Sequence, residues 1–132
     1  MFKGCTSLVN APQLPATTLD LQCYEFMFQD CTSLISAPEL PAITASWECY
    51  AYMFSGCISL VVAPELPATY VGRRCYEYMF RGCTSLVNAP ELPATNILSY
   101  NSYCYVGMFK GCTSLVTAPQ LPATTLSSYC YY

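Results

Sequence analysis

The chain has 132 residues, of which 54% are hydrophobic and 10% are charged, and its formal net charge is −3. This is enough apolar material for one folded domain, and it excludes a disordered chain. The five basic residues are mostly scattered, which excludes the concentrated positive surface that binds nucleic acid or anionic membranes. Histidine is absent, so the commonest general base and the usual metal ligand are missing, and we expect neither an enzyme nor a cofactor site.

The most informative feature of the sequence is an internal repeat that opens with the block M-F-x-G-C-x-S-L-V. This block begins at Met1, Met27, Met53, Met79 and Met108, with Asp30 and Ile35 as departures in the second copy. The predicted units are 1–26, 27–52, 53–78, 79–107 and 108–132. Self-similarity at this period indicates a repeat architecture, in which each unit buries its apolar side chains against its neighbours.

Each unit should contain a short strand after the opening block. In the first unit this strand covers Leu8 to Ala11, and Leu8 and, beyond Pro12, Leu14 point to one side. Pairing should stop at Pro12, because proline has no N–H to donate, and Pro15 then keeps the chain extended. We therefore expect parallel strands centred on five equivalent pairs, Leu8-Val9, Leu34-Ile35, Leu60-Val61, Leu86-Val87 and Leu115-Val116.

A carboxylate column follows the first proline of the A-P-x-L-P box. It consists of Glu39, Glu65 and Glu91, with Gln13 and Gln120 at the same place in the first and fifth units. These residues lie between apolar positions and should face solvent, where like charges at strand spacing repel one another. The column is therefore a candidate site for a cation or a basic partner. The alternative is a hydrated edge that keeps the protein in solution.

The residues that vary most between units are the five before the second cysteine, which become eight in the fourth unit. They read T-L-D-L-Q, T-A-S-W-E, Y-V-G-R-R, N-I-L-S-Y-N-S-Y and T-L-S-S-Y. Tryptophan, tyrosine and arginine, the residue types enriched at binding hot spots, gather here in three consecutive units. The candidate ligand-binding residues are Trp47, Arg73, Arg74, Tyr100 and Tyr103. Ordinary loop variation is the alternative.

The end of each unit has the pattern of a short helix or 3-10 turn. In the first unit the run C-Y-E-F-M-F puts Cys23, Phe26 and Met27 on one side of a helical turn. A glycine in left-handed geometry can end that turn, at Gly4, Gly56, Gly82 and Gly111. The predicted fold class is thus an α/β repeat solenoid, with a short parallel strand and a short helix or 3-10 turn in each unit.

The ten cysteines occupy two columns. They are Cys5, Cys31, Cys57, Cys83 and Cys112 in one, and Cys23, Cys49, Cys75, Cys104 and Cys130 in the other. We expect no metal site, because close C-x₂-C pairs are missing. Disulfides, with Cys23 and Cys31 as the pair to test, are one explanation, and free thiols buried as small hydrophobic groups are the other. Beside the second column lie Tyr24, Tyr50, Tyr76, Tyr105 and Tyr131, which we expect to pack in the structure rather than bind a ligand.

The block F-x-G-C-T-S-L, followed by a short strand, a proline and a variable stretch, resembles the BspA-like leucine-rich repeats over the whole chain. Members of that family are surface-exposed or secreted proteins of anaerobic bacteria and some protozoa, implicated in adhesion to host proteins and to other cells. The resemblance implies a non-catalytic binding module at the cell surface or outside the cell, whose partner is another protein or a glycan. The A-P-x-L-P-A-T segment and the second cysteine depart from the family pattern, so they leave the ligand open.

Structural alternatives remain open at this point. Neither end of the chain shows a polar cap, so we expect a window of a longer array or a protein that self-associates end to end into a filament. A segment of a phage appendage or tail fibre would use the same kind of rod. No apolar run reaches the roughly 18 residues of a membrane-spanning helix and no signal peptide is apparent, so we expect neither membrane insertion nor a nucleic-acid partner.

Overall fold

The computed structural model describes residues 1–97 and 100–132. It contains a small parallel sheet of three two-residue strands, β1 (Thr18–Leu19), β2 (Thr44–Ala45) and β3 (Tyr70–Val71), in that order. Thr44 pairs with Thr18 on one side and with Tyr70 on the other, so the register advances by one repeat at each step. A single parallel bridge between Asn96 and Thr125 continues this line into the fourth and fifth units.

The three strands of the sheet lie inside the stretches that vary between units. The sequence pattern did not predict strands at these positions. Each strand exposes its first residue and buries its second, so Leu19, Ala45 and Val71 point into the core. The buried position is apolar in all three strands, whereas the exposed position is threonine or tyrosine. Two residues are too short a stretch for this alternation to be recognised in a sequence.

A second line of parallel contacts runs through the predicted strands. Single bridges join equivalent residues of successive units, Asn10 to Ser36, Ser36 to Val62, Val62 to Asn88 and Asn88 to Thr117. The Ile35 amide donates to the Val9 carbonyl at 3.3 Å, and the Val61 amide donates to the Ile35 carbonyl at 3.2 Å. Parallel pairing at this position is confirmed, although the paired segment is shorter than the predicted strand. The proline two residues after each bridge is one reason, because it cannot donate to the ladder.

The prediction of a short helix or 3-10 turn is wrong for the described residues, none of which is helical. Consecutive turns occupy this place, in which the Glu25 amide donates to the Gln22 carbonyl at 3.3 Å and the Met27 amide to the Tyr24 carbonyl at 3.2 Å. The amide between them belongs to Phe26 and donates to the Ala51 carbonyl of the next unit at 3.0 Å. An α-helix would use this amide within its own turns. Across the described residues, no helix has the length and apolarity needed to cross a membrane.

Left-handed backbone recurs at every fourth residue of these turns. Gln22, Phe26 and Asp30 have φ angles of 57°, 56° and 59°, which a right-handed helix does not contain. The predicted left-handed geometry of the glycines is confirmed, with φ angles of 74° to 81° at Gly4, Gly56, Gly82 and Gly111. The chain therefore changes direction repeatedly within each unit and leaves its amides free to reach the neighbouring unit.

The core consists of columns in which equivalent residues of successive units lie side by side. Phenylalanine rings stack with centroids 5.5 to 5.8 Å apart, in the column Phe2, Phe28, Phe54, Phe80 and Phe109. The tyrosine column stacks in the same way, with centroids 5.4 to 6.0 Å apart. Its packing role is confirmed for Tyr50, Tyr76 and Tyr105, which are buried. Fully buried leucines, Leu34, Leu60 and Leu86, form a further column.

All ten cysteines are free, and seven of them are buried. A buried thiol still meets a hydrogen-bond acceptor, since Cys57 donates to the Phe28 carbonyl of the preceding unit at 3.1 Å. Burial raises the pKa of the Cys57 thiol to about 12. Cys23 and Cys31, the pair considered for a disulfide, donate to different carbonyls. The seven buried thiols thus act in this structure as small core groups.

Candidate ligand-binding surface

The candidate ligand-binding residues follow directly on the strands of the sheet. In the third unit, β3 exposes Tyr70 and buries Val71, and Arg73 is exposed shortly after. The Gln22 amide donates to the Trp47 carbonyl and the Glu48 amide to the Arg73 carbonyl, both at 3.0 Å. Trp47 and Arg73 therefore occupy equivalent positions in neighbouring units.

Trp47 lies against the backbone of the third unit. A β-carbon on Gly72 would come within 2.8 Å of the Trp47 Cδ1 atom and within 2.7 Å of the Ser46 carbonyl carbon. Glycine is the residue that leaves room for so close an approach. The Trp47 side chain nevertheless stays 46% exposed. It is held at one edge by the scaffold and is open to solvent elsewhere.

Tyr100 of the fourth unit lies next to Tyr70 of the third. The pKa of the Tyr100 hydroxyl is raised, first by desolvation and then by the charge and the hydrogen bond of the neighbouring Tyr70 hydroxyl. The two residues are 57% and 40% exposed. The longer variable stretch of the fourth unit supplies Tyr100, and two of its residues, Leu98 and Ser99, lie outside the described residues.

Arg74 and Tyr103, two further predicted site residues, are engaged with each other and with the scaffold. The Arg74 guanidinium carbon lies 5.6 Å from the centroid of the Tyr103 ring, a cation–π arrangement. Its Nη1 atom is 3.8 Å from Glu48 Oε1, and its Nε atom is 3.7 Å from Glu77 Oε2. Tyr103 also stacks on Tyr129 at 5.1 Å. These contacts leave Arg74 and Tyr103 less free to meet a ligand than the other three predicted residues.

The rings of Trp47, Tyr70 and Tyr100 differ from the stacked columns, because no aromatic partner covers them. Within the part of the chain that the structure describes, every aromatic pair and cation–π contact involves other rings. Arg73 takes part in neither of the two ion pairs found among the described residues. We call Trp47, Tyr70, Arg73 and Tyr100 the open patch.

Tyr70 is the member of the open patch that sequence reasoning missed. One signal was present: the first variable position carries threonine in three units and asparagine in a fourth, so Tyr70 is its only aromatic residue. Its neighbour in the patch, Tyr100, lies in the fourth unit, whose variable stretch has three additional residues. An alignment of the repeats therefore does not place Tyr100 opposite Tyr70. Their proximity follows from the fold alone.

The three carboxylates of the column, Glu39, Glu65 and Glu91, are exposed, as expected. Two shallow grooves run between successive boxes, with volumes of about 370 and 360 Å³, and Pro64, Glu65 and Pro67 line both. Glu39 lines the first groove and Glu91 the second. The ion pairs of the described residues include none of these carboxylates. The same residues contain no cluster of cysteine, aspartate and glutamate side chains that could hold a metal ion.

Comparisons of the chain with protein-family models, with curated proteins and with solved structures found no match. The resemblance to BspA-like repeats is therefore an interpretation of the F-x-G-C-T-S-L block.

Proposed function

We propose that the chain is a non-catalytic binding module, a leucine-rich-repeat solenoid of five units that presents ligand-binding side chains at fixed spacing. The open patch is the observation that carries this proposal. Its three aromatic side chains are 40 to 57% exposed, whereas the aromatic columns of the core are stacked and largely buried. Tryptophan, tyrosine and arginine supply most of the binding energy at many interfaces, so an exposed group of them favours a ligand site.

The scaffold explains how such a surface would work. Equivalent residues of neighbouring units are fixed by the hydrogen bonds and stacked rings between units, at the spacing of about 4.8 Å that separates paired strands. Trp47 is further held by its contact with Gly72. Side chains that are already positioned lose less conformational entropy when a ligand binds, and affinity rises accordingly.

The resemblance to BspA-like repeats supports a place at the cell surface or outside the cell, and a role in adhesion. Its partner would be another protein or a glycan.

Binding of the purified chain to two arrays tests this function, one of immobilised extracellular-matrix proteins and one of glycans. We expect the chain to bind at least one component, and the double variant Trp47→Ala/Tyr100→Ala to lose at least tenfold in apparent affinity. The matched control is Val116→Ala/Leu126→Ala, which also truncates two exposed apolar side chains but lies in the fifth unit. Failure to bind either array, or equal binding by both double variants, would contradict the proposal.

A second binding function is favoured by the proline-walled grooves of the carboxylate column. Each groove presents two carboxylates beside proline rings, and the ion pairs of the described residues leave these carboxylates uncompensated. A basic segment of a partner protein fits this surface, with the stems of lysine or arginine side chains on the prolines. The triple variant Glu39→Gln/Glu65→Gln/Glu91→Gln should then lose binding to immobilised polylysine, and a variant that binds unchanged would exclude this function.

A further inference from the structure

The open patch has a size that distinguishes between classes of ligand. Its residues belong to the second, third and fourth units, so at about 4.8 Å per unit the patch is about 10 Å long. A stable protein–protein interface needs about 800 Å² on each partner, which is more than such a patch presents. A ligand with the length of a disaccharide or trisaccharide matches it better.

The aromatic groups of the patch suit a sugar ring. The face of an aromatic ring is electron-rich and attracts the polarised C–H groups on the flat side of a pyranose. Trp47, Tyr70 and Tyr100 have no aromatic partner among the described residues, and each is at least 40% exposed. They therefore remain available for this contact, unlike the stacked tyrosines of the core.

The polar groups of the patch suit hydroxyls and a carboxylate. The hydroxyls of Tyr70 and Tyr100 can both donate and accept hydrogen bonds, as sugar hydroxyls require. Arg73 presents a planar guanidinium that binds carboxylates through two parallel hydrogen bonds. The nearby carboxylates of Glu48 and Glu77 make their ion pairs with Arg74, at 3.8 and 3.7 Å, and Arg73 takes part in neither of these pairs among the described residues.

We propose that the open patch binds a glycan that carries a carboxylate group, such as a uronic or sialic acid residue. The sugar ring packs on Trp47, its hydroxyls contact Tyr70 and Tyr100, and its carboxylate pairs with Arg73. This inference rests on the proposed function of the open patch as a binding surface, and it names the ligand class of that surface.

The charge of the whole chain makes the proposal specific. The net charge of −3 provides no general attraction for an acidic polymer, so binding has to come from a local site. Because Arg73 is exposed, its contribution should weaken as salt is added. The aromatic contribution should persist.

Native gel electrophoresis of the full 132-residue chain, with polygalacturonate or neutral dextran in the gel, tests the proposal. Mobility is compared for each variant with and without polymer, so that charge changes cancel. We expect polygalacturonate to retard the chain and dextran to leave it unaffected. Trp47→Ala and Arg73→Gln should each raise the apparent dissociation constant at least tenfold. The matched control is Arg81→Gln, which removes the same charge from a side chain lying over the Tyr78 ring, outside the patch, and should change it less than twofold.

Titration with sialyllactose separates the two sources of the carboxylate, and binding to either probe supports the proposal. The proposal is overturned if neither probe binds, or if Arg81→Gln reduces binding as much as Arg73→Gln. The proposal is also overturned, in favour of a neutral glycan, if dextran retards the chain as strongly as polygalacturonate does. In that case Trp47→Ala would abolish the retardation and Arg73→Gln would not. If the chain binds matrix proteins through Trp47 and Tyr100 but binds no glycan, the ligand is not an acidic glycan. The proposed function as a binding module then remains intact. Absence of all binding contradicts both.

Discussion

Trp47 of the second unit lies so close to Gly72 of the third that a β-carbon on Gly72 would come within 2.8 Å of the indole Cδ1 atom. The same β-carbon would lie 2.7 Å from the Ser46 carbonyl carbon, which is backbone and cannot move alone. The contact ties Trp47, a half-exposed residue of the proposed binding surface, to the stacking of two repeats.

Gly72→Ala should therefore destabilise the chain and displace Trp47. We expect a loss of about 1–3 kcal/mol, the usual effect of overpacking a close contact. Because Trp47 is the only tryptophan, its fluorescence reports the displacement directly. Urea unfolding followed by this fluorescence gives both quantities, and an unchanged midpoint together with an unchanged emission spectrum would show that the contact is absent.

Substitutions at Gly82 test the left-handed backbone conformation alone, because an added β-carbon there meets no close neighbour. Its φ angle is 74°, and the nearest atom to an added β-carbon is 3.9 Å away. Gly82→Ala should cost about 1 kcal/mol, because alanine is disfavoured in left-handed backbone. Gly82→Asn should cost less, since asparagine tolerates this conformation, and the second unit already has Asp30 here with φ of 59°. Equal midpoints for the two variants in urea unfolding would argue against left-handed geometry at this position.

Leu60 tests the assignment of the core column. Its side chain is fully buried between equivalent leucines of the neighbouring units, so Leu60→Ala should cost about 2–5 kcal/mol. Val61→Ala is the control, because Val61 is exposed and its truncation should cost less than about 1 kcal/mol. Chemical denaturation measures both changes. Similar values for the two variants would mean that the inward and outward faces have been exchanged.

The buried thiols predict a loss of stability at alkaline pH. Burial raises the pKa of Cys49 to about 11 and that of Cys57 and Cys104 to about 12, from 9.0 for an ordinary thiol. Above pH 9 the unfolded chain therefore releases protons that the folded chain retains. The stabilisation is fully present below pH 9 and declines as the pH rises towards 11 to 12. Unfolding free energies between pH 7 and pH 11 check this decline, and Cys57→Ala should make it shallower. Constant stability over that range would contradict burial of the thiols.

The parallel pairing between units and the buried leucines could be predicted because the same residue types recur at the same places. The turns could not, because Gln22 and Phe26 adopt left-handed backbone although neither residue type favours it. Hydrogen bonds to the next unit hold them there, and such tertiary contacts leave no local pattern. The predicted helix failed for the same reason.

The exposure of the variable stretches could be predicted from the sequence, whereas the contacts of their individual residues could not. Trp47, Arg73 and Tyr100 were identified from variation between units, and all three are exposed. Arg74 has the same residue type as Arg73, yet it pairs with Glu48, which is 26 residues away. Glu48 and Arg74 each come directly before the second cysteine of their unit, so stacking of the units in register brings them together, which the sequence analysis overlooked.

The central structural claim is that equivalent residues of successive units lie side by side in register. The Phe54 ring is the most direct probe, because its centroid lies 5.6 Å from that of Phe28 and 5.7 Å from that of Phe80. Nuclear Overhauser spectroscopy on a sample labelled at its six phenylalanines can resolve these contacts, with assignments from single Phe→Leu variants. The structure predicts cross-peaks from Phe54 to both Phe28 and Phe80, residues 26 positions away in either direction. Cross-peaks from Phe54 to neither ring in the folded chain would contradict it.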